Sequence, residues 1–92
     1  PTSVIYHWKE KLQQFLPTLR LLVHYGSNRS LEGLHRYDIV LTSYGIVRSD
    51  REKLASIPFE VAIYDEIQVA KNHNSQTYAS LEKIEARMRL GL

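Results

Sequence analysis

The sequence contains no cysteine, which excludes disulfide bonds and thiolate metal sites. No apolar run approaches the ~18 residues that a membrane-spanning helix needs. The first residues, Pro1-Thr2-Ser3, carry no basic region and no signal-like apolar core. They also lack an initiator Met, and the chain stops at Leu92 without a polar tail, so both ends read as cuts in a longer sequence. The histidines His7, His24, His35 and His73 lack metal-ligand spacing and read as surface or core residues. No Ser-His-Asp constellation can be argued from their positions. The tyrosines (Tyr6, Tyr25, Tyr37, Tyr44, Tyr64 and Tyr78) are scattered at element edges, which suits packing better than a base-stacking platform. Charge of one sign is also lacking: the formal net charge is +2, a mild lean toward anionic partners and no more. There is no internal repeat and no low-complexity segment.

What remains is a short, globular-type chain. Its 92 residues are 43% hydrophobic and 24% charged, which fits one small domain or a piece of a larger one. A chain of this size buries on the order of 60–65% of its unfolded surface, so the expected core is thin. Helical spacing of Val4, Ile5, Trp8, Leu12, Phe15 and Leu16 predicts a helix over 3–16, with Thr2 or Ser3 as its N-cap and Pro17 as its stop. Residues 19–25 read as a strand ending at Gly26, and 27–36 as at most a short helix. Asp38-Ile39-Val40-Leu41-Thr42 reads as the next strand, followed by a turn at Ser43-Tyr44-Gly45. Residues 44–56 read as mainly helical, with Ser49 and Glu52 in a capping-box pattern that restarts the helix. Tyr78, Leu81, Ile84 and Met88 mark a helix over about 76–86, and 88–92 reads as a last strand.

The chain is organised around Val61-Ala62-Ile63-Tyr64-Asp65, an apolar run bounded by Pro58 and followed by Glu66-Ile67-Gln68. So short a run suits a strand buried on both faces of a parallel sheet. Strands alternating with helices imply right-handed crossovers and a parallel α/β sheet. Ligands collect beyond the carboxyl ends of such strands. Thr42-Ser43 and Asp65-Glu66 are then expected on one rim. An Asp-Glu pair there suits Mg²⁺ and the polarisation of water. The plainer reading of the same pair is a solvated turn or a helix cap.

Four patches, in order and spacing, resemble the first motor lobe of Swi/Snf-type helicase-like ATPases of helicase superfamily two. They are Pro1-Thr2-Ser3 with Trp8 and Phe15-Leu16-Pro17; Tyr37 to Gly45; Asp65-Glu66-Ile67-Gln68 with Lys71-Asn72 and Ser75; and Arg89 to Leu92. Departures from the family pattern are Ile67 for the usual Ala, His7 for the usual Asn, and Val69-Ala70 before Lys71; none removes a reactive group. The resemblance implies an α/β fold: a partial RecA-like parallel sheet with flanking helices, the P-loop nucleoside triphosphatase fold without its P-loop strand. Residues 1–92 would then be part of the N-terminal ATP-binding lobe.

The same resemblance implies an ATP-dependent translocase or remodelling motor using ATP and Mg²⁺. Asp65 would hold Mg²⁺ on the phosphates, Glu66 would orient or deprotonate the attacking water, and Gln68 would couple nucleotide state to DNA-facing loops. Ser3, Thr42 and Ser43 would contact a DNA backbone, with Lys71 and Asn72 as further contacts. A helix cap at Thr42 and Ser43, and a solvated loop at Lys71 and Asn72, are the alternatives. The implied partner is double-stranded DNA or nucleoprotein, with no membrane. The implied location is cytoplasm or nucleoid in a bacterium or archaeon and the nucleus in a eukaryote. The chain contains no Gly-x-x-x-x-Gly-Lys-Ser/Thr loop, so by itself it should not hydrolyse ATP. Without the neighbouring phosphate-loop strand, Met88 to Leu92 should form an exposed apolar edge prone to self-association. The rival readings are a non-catalytic nucleic-acid or protein interaction module of the same fold and a restriction-enzyme type of translocase.

Overall fold

A computed structural model describes residues 2–65 and 75–91, with side chains over 4–65 and 76–91. The chain divides into two compact units, Pro1–Ser43 and Tyr44–Leu92. Each holds one two-stranded parallel ladder. The parallel pairing matches the expected fold class. The single continuous sheet does not form among the described residues, because β2 pairs with β1 and β3 with β4, with no ladder between β2 and β3.

The first unit runs α1 (Thr2–Phe15), β1 (Leu21–Val23), a 3-10 turn (Leu34–Arg36) and β2 (Ile39–Leu41). Helix α1 starts and ends one residue earlier than its spacing predicts, within the usual fraying of helix ends, and it already includes both residues expected to cap it. Pro17 cannot continue it, and the chain turns with Leu19 N–H donating to Leu16 O at 3.1 Å. Of its expected buried face, Ile5 is buried and Trp8 and Leu12 are half-buried, whereas Val4, Phe15 and Leu16 are exposed. Length accounts for this. The helix is about 21 Å long at 1.5 Å per residue, and the strand β1 that it packs against spans about 10 Å. Much of the apolar stripe therefore overhangs.

The β1–β2 ladder pairs Leu21 with Ile39, Leu22 with Val40 and Val23 with Leu41. Strands this short make few backbone bonds, and polar groups close both ends. Before the first pair, Asp38 Oδ2 accepts from Arg20 N–H at 2.7 Å and from Arg20 Nε at 3.2 Å, while Asp38 N–H donates to Arg20 O at 2.8 Å. Beyond the last pair, Thr42 Oγ1 donates to His24 O at 2.7 Å. Gly33 enters the 3-10 turn at φ 72°, and a Cβ there would lie 2.4 Å from the Arg36 guanidinium. The left-handed backbone favours glycine at that position, whereas the Arg36 guanidinium is the mobile end of an exposed side chain and could give way.

The second unit runs α2 (Tyr44–Ser49), α3 (Arg51–Ala55), β3 (Phe59–Tyr64), α4 (Ser75–Glu82) and β4 (Ala86–Gly91). The restart falls at Asp50, not Ser49, and Asp50 makes no side-chain cap bond. Asp50 N–H still donates to Ile46 O at 2.8 Å, so the first helix keeps its hydrogen bonding through Asp50 and the second can begin only after it. Helix α2 packs on α4. The core of this unit is Val47, Leu54, Leu81 and Ile84, all buried.

Strands β3 and β4 pair in parallel, with Val61 opposite Met88, Ile63 opposite Leu90 and Tyr64 opposite Gly91. Alternation puts Val61, Ile63, Met88 and Leu90 on one face. That face is open, with exposures of 46%, 62%, 55% and 44%. The expectation of a strand buried on both faces is thus corrected. A two-stranded ladder gives a strand cover on only part of its surface, and here the described packing lies on the other face. There Arg89 reaches the end of α4, donating to Leu81 O at 3.2 Å and to Ile84 O.

Candidate functional site

The site begins where β3 runs out. Tyr64–Gly91 is the last ladder pair, and Asp65 is the next residue, exposed and in a turn. A carbonyl past the end of a ladder needs a partner from elsewhere. The Tyr44 hydroxyl, from the first residue of α2, donates to the Asp65 carbonyl. Arg89 braces the preceding residue, with Nη1 donating to Tyr64 Oη at 3.2 Å while the same guanidinium holds the last carbonyls around α4. The acid therefore stands on a backbone secured from α2 on one side and from β4 and α4 on the other.

An exposed carboxylate on a braced strand end offers hard oxygen ligands of the kind Mg²⁺ takes. Among the described residues, no three His, Cys, Asp or Glu side chains gather closely enough to enclose a metal ion. Asp65 thus offers a cation one exposed carboxylate, and an Mg²⁺ ion held there would keep much of its shell as water and phosphate oxygens.

The end of β2 is built differently. Thr42 and Ser43 are half-buried, and the Thr42 hydroxyl proton is given to the carbonyl of His24, a residue only 2% exposed. Phosphate oxygens are acceptors too. A phosphate at Thr42 must therefore be met by a backbone N–H or must displace this internal bond. At the other end of the ladder, hydrogen bonds from the Arg20 side chain and backbone hold the Asp38 carboxyl below the usual carboxylate range.

The other expected site residues are less informative here. Ser3 lies in the first turn of α1, ahead of the described side chains. Glu66, Gln68, Lys71 and Asn72 lie outside the described residues. The sequence suggests packing for Tyr44 and places Arg89 only in the last of the four family-like patches. Nothing in their spacing signals that one holds the Asp65 carbonyl and the other the close of α4. Among the described residues a shallow apolar groove runs along α1 at His7, Trp8, Leu12 and Phe15. No described helix is long and apolar enough to cross a membrane.

The ATP-dependent helicase FUN30 of Saccharomyces cerevisiae is 31% identical over 98% of this chain, which spans 9% of that protein. The ATP-dependent helicase fft2 of Schizosaccharomyces pombe is 32% identical over 98% of the chain, which spans 8% of it. The chain thus covers about a tenth or less of the length of these relatives. The solved SWI2/SNF2 ATPase core of Sulfolobus solfataricus in complex with dsDNA superimposes on the whole chain with a TM-score of 0.87 and 32% identity, over 19% of that structure. The model of the SNF2-related domain matches residues 1–92. That match spans the whole chain, and this chain belongs to the SNF2-related domain family.

Proposed function

We propose that this chain is a segment of the first RecA-like lobe of an ATP-dependent, DNA-stimulated translocase or remodelling motor. In this reading Asp65 ligates Mg²⁺ on the nucleotide phosphates and Glu66 orients or deprotonates the attacking water. The ion, when bound, neutralises charge that develops on the transferred phosphoryl group. Gln68 links nucleotide state to the DNA-facing side. Ser3, Thr42, Ser43, Lys71 and Asn72 meet the DNA backbone, which sets register without reading sequence. The location follows the host: the nucleus in a eukaryote, cytoplasm or nucleoid otherwise.

The observation that carries this reading is the exposed Asp65 at the end of a parallel strand, in a chain whose backbone follows a SWI2/SNF2 core at a TM-score of 0.87. The test has two arms. The 92-residue chain, having no phosphate-binding loop, should hydrolyse no ATP above buffer. The full-length motor should hydrolyse ATP with DNA stimulation and lose it on Asp65→Asn. Turnover by the isolated chain, or an unimpaired Asp65→Asn motor, refutes the assignment.

Self-association of the isolated chain belongs to the same reading. Val61, Ile63, Met88 and Leu90 form an exposed apolar face on a ladder whose two strands are both edges among the described residues. Sedimentation should show concentration-dependent association that Ile63→Lys reduces. A monodisperse monomer at high concentration would remove this part.

A further inference from the structure

Resting on the reading of Asp65 just given, we propose that the Tyr44 hydroxyl is a positioning group for the Asp65 carboxylate. Three observations support this. Asp65 is the first residue beyond the β3–β4 ladder, so no ladder pair fixes its outgoing peptide. The Tyr44 hydroxyl donates to the carbonyl of that residue across 21 positions of sequence. The root of the phenol is itself held, because Tyr44 opens α2 and α2 is anchored by buried Val47 against α4.

The mechanical consequence is simple. Rotation about the Cα–C bond of Asp65 would swing its carbonyl away from the phenol and break the bond. Holding the oxygen therefore limits the rotation of the residue and the directions its Cβ can take. A ligand to a metal ion works within narrow limits of distance and angle. Groups that orient ligands without touching the metal typically change affinity or activity by about 10–100-fold when removed. A tyrosine suits the task because it carries its donor far from the backbone on only two rotatable bonds. Tyr44 also comes directly after Thr42 and Ser43 in the chain. The residue that steadies the acid is thus joined by one peptide bond to the turn assigned to DNA.

The test uses the full-length motor with its nucleotide, and Mn²⁺ as the probe ion, read by electron paramagnetic resonance without turnover. Tyr44→Phe removes only the hydroxyl. It should weaken Mn²⁺ binding in the nucleotide complex by about tenfold, the lower end of the range for such orienting groups. The kcat should fall in parallel, while the KM for ATP and the DNA affinity without nucleotide stay unchanged. Tyr44→Met, a second way to remove the hydroxyl while keeping a large side chain, should give the same shift if Tyr44→Phe melts early.

Asp65→Asn is the reference arm. If it abolishes hydrolysis while Tyr44→Phe binds Mn²⁺ as wild type does, the positioning role is overturned and the assignment of Asp65 stands. If Tyr44→Phe weakens DNA binding but not Mn²⁺ binding, Tyr44 is a DNA contact and the proposal fails. If Asp65→Asn hydrolyses ATP normally, the reading of the site falls and this inference falls with it.

Discussion

In residues 1–43 the ladder is short and fastened at both ends; in residues 44–92 it is longer, open on one face, and finishes on an acid. The β1–β2 strands have three residues each, and Arg20–Asp38 and Thr42–His24 close them one step beyond the last pairs. The β3–β4 strands have six residues each, and the residue after Tyr64 is the exposed Asp65, whose carbonyl accepts from the Tyr44 hydroxyl. The difference lies in what each fastening uses. At the end of β2 the bond takes the Thr42 hydroxyl itself, whereas at the end of β3 the Tyr44 hydroxyl takes the backbone carbonyl of the exposed Asp65.

The comparison can be broken or sharpened at several points. The largest expected effect is at the acidic end. Glu66→Gln in the full-length motor should lower ATP turnover by roughly 10²–10⁴-fold, the usual size of a lost general base. Thr42→Ser should leave turnover intact in the same assay, and equal losses from the two variants would erase the proposed difference between the ends. Next comes the core of the second unit. Leu54, in α3, is 2% exposed, and Val47, Leu81 and Ile84 are the other buried apolar residues of this unit. Leu54→Ala should destabilise by about 2–5 kcal/mol in urea unfolding, mostly through the cavity left behind. Such a loss should melt residues 44–92 first, and hydrogen exchange would show whether residues 1–43 survive it.

A smaller effect is expected at the clasp. Thr42→Val removes the donor to His24 O and should cost about 1 kcal/mol, whereas Thr42→Ser keeps the hydroxyl and should cost less. Equal stability of the Val variant would mean that the clasp does not define the ladder's end. The smallest effect is the pH response at Arg20–Asp38. The Asp38 carboxyl is held below its usual range in the folded chain, mainly by its hydrogen bonds with the Arg20 side chain and then by the Arg20 backbone. The unfolded chain therefore takes up a proton at higher pH than the folded one. The contribution is complete above about pH 4 and is lost as pH falls through the lowered folded value. The pair is exposed, so the effect is slight. Asp38→Asn should flatten the acid limb of the melting profile and change little at neutral pH.

Much of this was legible without coordinates. Runs such as Leu-Leu-Val and Ile-Val-Leu have the apolar, β-branched character of buried parallel strands, and Pro17 and Pro58 mark element ends by chemistry alone. Two misreadings are instructive. Ser49 with Glu52 has the letters of a capping box, but the preceding helix kept its hydrogen bonding through Asp50 and moved the break. The apolar face of α1 has perfect spacing, yet Val4, Phe15 and Leu16 are exposed because spacing does not say how much surface a short strand offers.

The sequence by itself determined the parallel α/β character of the chain, the approximate places of its strands and helices, and an acidic pair at a strand's end. These depend on local periodicity and on residue types that act within a few positions of themselves. The strand runs Phe59–Tyr64, so Asp65 falls one residue past it instead of closing it, and the last helix stops at Glu82 with Met88 in the strand that follows. Only the tertiary structure decided that Tyr44 holds the Asp65 carbonyl, that Arg89 secures the end of α4, that Thr42 donates to His24, and that the strands pair as two ladders with one face open. Each of those is a contact between residues distant in sequence, and no local pattern encodes which distant partner a donor will find.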